Sequence, residues 1–227
     1  MKKVVLSTII FCLSAVVCLS QKSKTPAESN ASEQTQIQSI AEISDTEWRI
    51  LIDAVQAENW EKSQFLAGQY LTKYKVDNEK KQLARLRYIR LYALAGKVVE
   101  SSLAGKKPEE DTARIELEKS ASGFLEKEFF MPSRQISDDC EGRLNYVCRS
   151  QQPGNVLRVT ATNRTGKAIH SFEYVRLKEN FNVADYIGKL GVLGGVLKKI
   201  EFNPNKSNVW IMRLFFENGS VNVVPDK

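Results

Sequence analysis

The pattern of apolar and polar positions divides the chain into four segments. Residues 4–19 are almost entirely apolar, and residues 21–43 are mostly polar with few large apolar residues. Apolar positions then recur at helical spacing in residues 44–122, whereas residues 123–227 carry β-branched and aromatic runs separated by turn residues. Helical and strand patterns in separate, consecutive segments are typical of α+β proteins. We therefore predict an α+β fold in which a helical domain, residues 44–122, precedes a small antiparallel β domain, residues 123–227.

Capping residues support the helical prediction. Ser44 and Glu47 have the spacing of a capping box, and Asn59 is placed to cap a second helix. Gly96 is predicted to end a third helix, and Pro108 to begin a fourth. Helices joined by turns of a few residues pack as antiparallel hairpins.

Two stretches within this segment resemble the helices of tetratricopeptide repeats. They are Trp60-Glu61-Lys62 through Tyr70-Leu71, and Ala84-Arg85-Leu86-Arg87-Tyr88 through Ala93-Leu94-Ala95-Gly96-Lys97. The resemblance covers residues 44–100 and implies a concave surface that binds a protein or a peptide. A helical bundle packed against the second domain explains the same pattern.

The second segment contains several candidate strands. Residues 156–162 and 168–177 are predicted to pair across a turn, and residues 209–216 form the most apolar strand. The Asn218-Gly219 step is predicted to turn that strand into a last one at residues 221–224. With a short helix between the pairs, this order of elements resembles an oligonucleotide/oligosaccharide-binding (OB) barrel. A β-sandwich or an open antiparallel sheet is the alternative.

The glycines between Gly188 and Gly195 could suggest a phosphate-binding loop. They lack the Gly-Lys-Ser/Thr ending of such a loop and precede a strand rather than a helix. A tight turn or a β-bulge is therefore the predicted role of these glycines.

The first twenty residues have the three parts of a secretory signal. Lys2 and Lys3 precede the apolar stretch, which is shorter than the roughly 20 residues that span a bilayer, and the small residue Ser20 follows it. We predict a signal peptide at residues 1–20 and a disordered tether at residues 21–43, which has few large apolar residues. The protein is therefore expected in the periplasm or the cell envelope.

Cys18 leaves a second possibility for the N-terminus. A lipoprotein signal places a cysteine after a small residue, and its lipidated sulfur then anchors the protein to a membrane. Val17, which precedes Cys18, fits this pattern poorly. Lipid anchoring, or an uncleaved anchor helix, is the alternative to cleavage and release.

Cys140 and Cys148 are the two cysteines that follow the signal. In an oxidising compartment, a pair that closes a short loop predicts a structural disulfide, worth about 2–3 kcal/mol. A redox pair usually has two residues between its cysteines, and a metal site would need further Cys or His ligands. We predict no metal site and no cofactor.

His170 is the one histidine of the chain. We expect a partly buried, hydrogen-bonded strand residue that shares its strand face with Phe172 and Tyr174. A hydrolase triad is hard to build without a second candidate base. A carboxylate pair such as Glu173 with Asp185 is the remaining route to an enzyme.

Aromatic and basic residues of the β domain form the best candidate ligand surface, namely Tyr174, Arg176, Trp210 and Arg213. The net charge of +6 is spread along the chain, which does not favour a nucleic-acid-binding face. We predict a non-enzymatic module that binds another envelope protein or a peptide through its helices. The alternative is a glycan- or nucleic-acid-binding protein that uses the β domain.

Overall fold

The computed structural model describes residues 42–76, 80–205 and 210–225. The predicted secretion signal, the lipidation candidate Cys18 and nearly all of the predicted tether lie outside these residues. Within the described ranges, no helix is long and apolar enough to cross a membrane.

The described chain begins with four helices, α1 (Asp45–Gln56), α2 (Trp60–Lys73), α3 (Gln82–Leu103) and α4 (Lys107–Gly123). The predicted capping box at the start of α1 is confirmed. The backbone N–H of Glu47 donates to the Ser44 hydroxyl, and the Glu47 carboxylate accepts from the Ser44 backbone. Asn59 caps α2 through a bond from the Lys62 backbone, as predicted. Pro108 lies in the first turn of α4, where its missing N–H costs nothing.

Helix α3 continues past Gly96, so the predicted helix end at that glycine is wrong. The Trp60 ring packs against this point of α3, and a Cβ on Gly96 would lie 2.5 Å from it. Gly96 is therefore needed because α2 and α3 approach closely there, and not because the helix ends.

In the described part of the chain, seven strands follow the helices, with one turn of 3-10 helix at Val183–Tyr186. The strands are β1 (Glu128–Phe130), β2 (Arg134–Gln135), β3 (Cys148–Arg149), β4 (Val156–Thr162), β5 (Ile169–Leu177), β6 (Leu190–Phe202) and β7 (Trp210–Val223). They form one sheet in the order β1-β6-β7-β5-β4-β3, and β2 also pairs with β6.

The predicted α+β class is confirmed, and the sheet is open. It is also mixed, because β5 pairs with β7 in parallel while the other strand pairs are antiparallel. The expectation of an antiparallel β domain is therefore wrong at the β5–β7 pairing. After β5 the chain passes through the 3-10 helix and forms β6, which is not adjacent to β5 in the sheet. Strand β7 then lies between β6 and β5 and pairs with both.

The predicted turn or bulge in the glycine-rich run is confirmed at two positions. Gly188 has a φ of +85°, a conformation that suits the turn before β6. The register with β7 shifts between Gly194 and Val196, which marks a bulge. β6 nevertheless begins earlier than expected, at Leu190, and includes most of these glycines.

Strand β7 continues through Asn218-Gly219, with Asn218 at a φ of +54°, so the predicted hairpin at this step is wrong. Gly219 pairs with Leu177 of β5. A Cβ on Gly219 would lie 2.4 Å from a methyl group of Val175. The glycine therefore lets two parallel strands approach closely inside a continuous strand.

Helix α3 connects the helical layer with the sheet. Leu94 and Val98 of α3 belong to a buried cluster that also contains Phe216 and other strand residues. A second buried cluster joins the first three helices and includes Leu51 and Leu86. Burial of apolar side chains on both sides of α3 fixes the helices against one face of the sheet.

Candidate functional site

A cleft of about 890 Å³ lies between helices α1 and α3 and the β1–β2 end of the sheet. Its helical wall is formed by apolar and aromatic side chains that include Trp48, Ile52 and Ile89. Leu144, Leu190 and Val224 line it from the sheet side and from the loops beside it. A volume of this size and an apolar lining are typical of ligand sites.

Three of these apolar side chains remain exposed at the cleft. Leu144 is 37% exposed, Leu190 46% and Val224 37%. Exposed leucines are common singly, but several around one concavity indicate a surface that a ligand covers.

The floor of the cleft contains a buried polar cluster, which we call the Glu173 network: Tyr88, Arg134, Ser171 and Glu173. An Arg134 Nη1–H donates to Glu173 Oε2 at 2.9 Å. The Tyr88 hydroxyl donates to Glu173 Oε1 at 2.8 Å, and the Ser171 hydroxyl donates to the same oxygen at 2.9 Å. Arg134 also donates to the Tyr88 oxygen. The fully buried carboxylate thus has a cation and two hydroxyl donors, which offset its loss of water.

Two members of the Glu173 network, Tyr88 and Arg134, have shifted pKa values. Burial raises the pKa of the Tyr88 phenol well above its ordinary value. Burial alone would lower the pKa of Arg134, but the Glu173 charge and Tyr88 outweigh it, and the pKa is raised. Tyr88 therefore stays protonated and Arg134 stays charged, so neither group is tuned to exchange protons near pH 7.

The carboxylate pair considered for an enzyme is not brought together in one open cleft. Glu173 is buried within its network, whereas Asp185 is exposed on the 3-10 helix. The Asp185 carboxylate accepts a hydrogen bond from the Asn182 side chain at 3.0 Å.

His170 is fully buried, so the expectation of a partly buried position is wrong. The pairing of β4 with β5 is irregular beside Thr162. This bulge places the His170 side chain on the face of the sheet that packs against the helices, and not on the opposite face with Phe172. Its ring contacts the rings of Trp60 and Tyr92, with centroids 5.2 and 4.4 Å away. Neither ring nitrogen has a well-formed hydrogen bond to a described residue.

This environment keeps His170 uncharged. Burial lowers its pKa to about 4, against a smaller opposing effect of the Tyr92 backbone. A neutral imidazole held among aromatic rings contributes to packing at neutral pH and does not act as an exposed base.

The four residues predicted as a ligand surface lie together on the sheet face opposite the helices, here called the outer face. Side chains alternate along β5, so Tyr174 and Arg176 point away from the helix-facing Glu173. Tyr174 stacks on Phe215 with ring centroids 5.1 Å apart, and the Arg213 guanidinium lies 4.5 Å from the Trp210 ring. All four predicted residues are at least partly exposed.

Acidic neighbours pair with the cations of the outer face. Arg176 lies 3.2 Å from Glu217, and Arg213 lies 3.5 Å from Glu201. Lys199 also pairs with Glu201, at 2.7 Å. The outer face is therefore an aromatic surface with largely compensated charge.

Cys140 and Cys148 are at disulfide distance, with Cα atoms 5.6 Å apart. Cys148 pairs with Arg158 of β4, and an Arg158 Nη2–H donates to the Cys140 carbonyl at 3.4 Å. These contacts hold the Cys140 loop against the edge of the sheet. Among the described residues, no group of three or more His, Cys, Asp or Glu side chains could hold a metal ion.

The Glu173 network and the cleft correspond to no prediction made from the sequence. Tyr88, Arg134 and Glu173 come from a helix, a two-residue strand and a long strand that are far apart in sequence. No local spacing links them, and only the unexpected burial of an Arg and a Glu identifies the network.

Comparisons with protein-family models, with curated proteins and with solved structures found no match to this chain. The resemblances to tetratricopeptide repeats and to an OB barrel therefore stay predictions.

Proposed function

We propose that the protein is a non-enzymatic binding protein of the cell envelope that holds a peptide segment of a partner in the cleft. The cleft itself carries the proposal: it is concave, mostly apolar and wide enough for several side chains. Its helical wall comes from the part of the chain for which peptide binding is expected.

The chemistry around the cleft favours binding over catalysis. The carboxylate of Glu173 accepts bonds from Arg134, Tyr88 and Ser171, so it is occupied in holding the floor together. His170 is neutral and enclosed by rings, with no exposed nitrogen to act on a substrate. Rigid, internally satisfied polar groups beneath an apolar surface suit recognition of a peptide side chain.

A peptide array tests this function. The purified protein is incubated with random octapeptides, and the affinities of the selected peptides are then measured in solution. Leu190→Asp places a charge in the apolar lining and should weaken binding about tenfold or more. Leu103→Asp is the matched control, because Leu103 is 68% exposed at the end of α3 and is not part of the lining. Equal affinities for the two variants would contradict the proposal.

A glycan is the second candidate ligand, and it would bind the outer face. The half-exposed rings of Tyr174, Trp210 and Phe215 offer flat apolar surfaces on which a sugar can stack. Paired cations favour a neutral glycan over a polyphosphate, which would need uncompensated positive charge. Tyr174→Ala should abolish binding on a glycan array, whereas Phe65→Ala, at an exposed aromatic of α2, should not.

Export is the proposed context for either ligand. The signal-like N-terminus and the cysteine pair at disulfide distance support it together. Mass spectrometry of the mature protein distinguishes cleavage after Ser20 from lipidation at Cys18. An intact Met1 on a protein with two free thiols would contradict export.

A further inference from the structure

The charge of the cleft lining is one-sided. Among the described residues that line it, Arg85, Arg134 and Arg164 are cationic and none is acidic. Two carboxylates lie next to the lining: Glu173 pairs with Arg134 beneath it, and Glu58 accepts a hydrogen bond from the Arg164 backbone. The cleft therefore carries excess positive charge within apolar walls, where a low dielectric strengthens attraction for an anion.

The three arginines differ in what else they hold. Arg134 belongs to the Glu173 network. Arg164 holds the end of α1, because its backbone N–H donates to Glu58 and its Nη1 donates to the Gln56 carbonyl at 3.4 Å. Both therefore have structural tasks in the absence of a ligand.

Arg85 is placed differently. It is half-buried on α3, and its guanidinium lies over the Phe130 ring, 5.0 Å from the centroid. An aromatic ring at this distance attracts the guanidinium without occupying its N–H donors, which can then bind a ligand. An arginine held in this way can bind a carboxylate with two parallel hydrogen bonds.

We propose that the peptide bound in the cleft carries a carboxylate beside an apolar side chain, and that Arg85 binds this carboxylate. The inference rests on the proposed peptide-binding function and specifies its ligand. The apolar side chain contacts the Trp48 and Leu190 walls, and the carboxylate meets the Arg85 guanidinium. An Asp or Glu side chain and a free C-terminus offer the same chemistry.

The test uses two versions of the same random peptide array, attached through their N-termini. One version ends in a free carboxylate and the other in an amide. Peptides that bind the wild-type protein should be enriched in Asp or Glu next to apolar residues, or should bind only with a free C-terminus. The first pattern assigns the carboxylate to a side chain, and the second to the chain end.

Variants of the protein then assign the carboxylate to Arg85. Arg85→Gln should weaken a selected acidic peptide about tenfold or more, and should weaken its Asn, Gln or amide counterpart less than about twofold. Arg85→Lys should keep part of the preference for the acidic peptide over its neutral counterpart, because lysine keeps the positive charge but lacks the planar guanidinium group. Arg49→Gln, at an exposed arginine of α1 outside the lining, should change neither affinity.

The outcomes separate this inference from the function on which it rests. Selected peptides that need an intact Leu190 but show no preference for a carboxylate would overturn the role of Arg85 and keep peptide binding. If no selected peptide depends on Leu190, the function itself is wrong. Thermal unfolding of each variant shows whether it is folded, and Arg85→Lys repeats the test should Arg85→Gln unfold.

Discussion

The two faces of β5 are stabilised by different means. On the helix-facing side, Ser171 and Glu173 are buried and are hydrogen-bonded to each other. On the outer face, Tyr174 and Arg176 are partly exposed and rely on a stacked ring and a solvent-screened ion pair. The two faces differ in their exposure to water. Buried hydrogen bonds on the helix-facing side are protected from competition with water, whereas the exposed contacts of the outer face are weakened by it.

This contrast indicates what each face contributes. The inner face carries much of the stability of the helix–sheet junction, since a broken bond there leaves a buried charge unpaired. The outer face contributes little to folding, and its side chains can therefore serve a ligand at small cost.

Glu173→Gln should destabilise the protein by about 3–5 kcal/mol, because the Arg134 charge stays buried without its counter-ion. Glu217→Gln is the matched control on the outer face and should cost at most about 1 kcal/mol. Urea unfolding measures both free energies. If both variants lose a similarly small free energy of unfolding, the two faces of β5 do not differ in their contribution to stability.

His170 should make the stability of the protein depend on pH. Its folded pKa of about 4 lies below the value of about 6.5 in an unfolded chain, so the unfolded state binds the proton first as the pH falls. Above about pH 6.5, His170 does not change the free energy of unfolding. As the pH falls from about 6.5 to about 4, protonation of His170 in the unfolded chain progressively lowers that free energy. Between pH 7 and pH 4.5 the wild type should lose about 2–3 kcal/mol more than His170→Met. Parallel losses in the two proteins would show that His170 is not responsible.

Gly96→Ala should cost about 1–3 kcal/mol, because the added methyl group overlaps the Trp60 ring between α2 and α3. Gly123→Ala is the matched control, at the last position of α4, where a Cβ meets no atom within 4 Å. That change should be neutral or slightly stabilising. The denaturation midpoints of the two variants are compared with that of the wild type. Equal midpoints for the two variants would mean that Trp60 of α2 does not pack tightly against α3 at Gly96.

Arg213→Gln should have the smallest effect on folding, less than about 1 kcal/mol, because its contacts with Trp210 and Glu201 are partly exposed. If the outer face binds a glycan, the same change should still weaken that binding. Unfolding and binding are measured on one preparation. A large loss of stability would show that the outer face is structural.

Local features of the fold could be predicted from the sequence. The capping box of Ser44 and Glu47 and the Asn59 cap depend on residues three positions apart, so their spacing is visible in the chain. The α+β class follows from consecutive helical and strand periods. The disulfide distance between Cys140 and Cys148 was likewise expected from a short loop.

Features set by tertiary contacts could not be predicted in this way. Gly96 and Gly219 have the sequence signals of a helix end and a hairpin, but a Trp60 ring and a neighbouring strand determine their real roles. The bulge beside Thr162 turns His170 to the opposite face from the one that strict alternation gives. The cleft arises only where α1, α3 and the sheet meet, and no single segment encodes it.

Photo-crosslinking tests the proposal that a peptide occupies the cleft. A selected peptide that carries a benzophenone group is irradiated with the wild-type protein, and the modified residues are identified by mass spectrometry. We expect crosslinks in the cleft lining, at Trp48, Phe130 or Leu190, and their loss in Leu190→Asp. Crosslinks confined to Tyr174, Trp210 and their neighbours on the outer face would contradict the account.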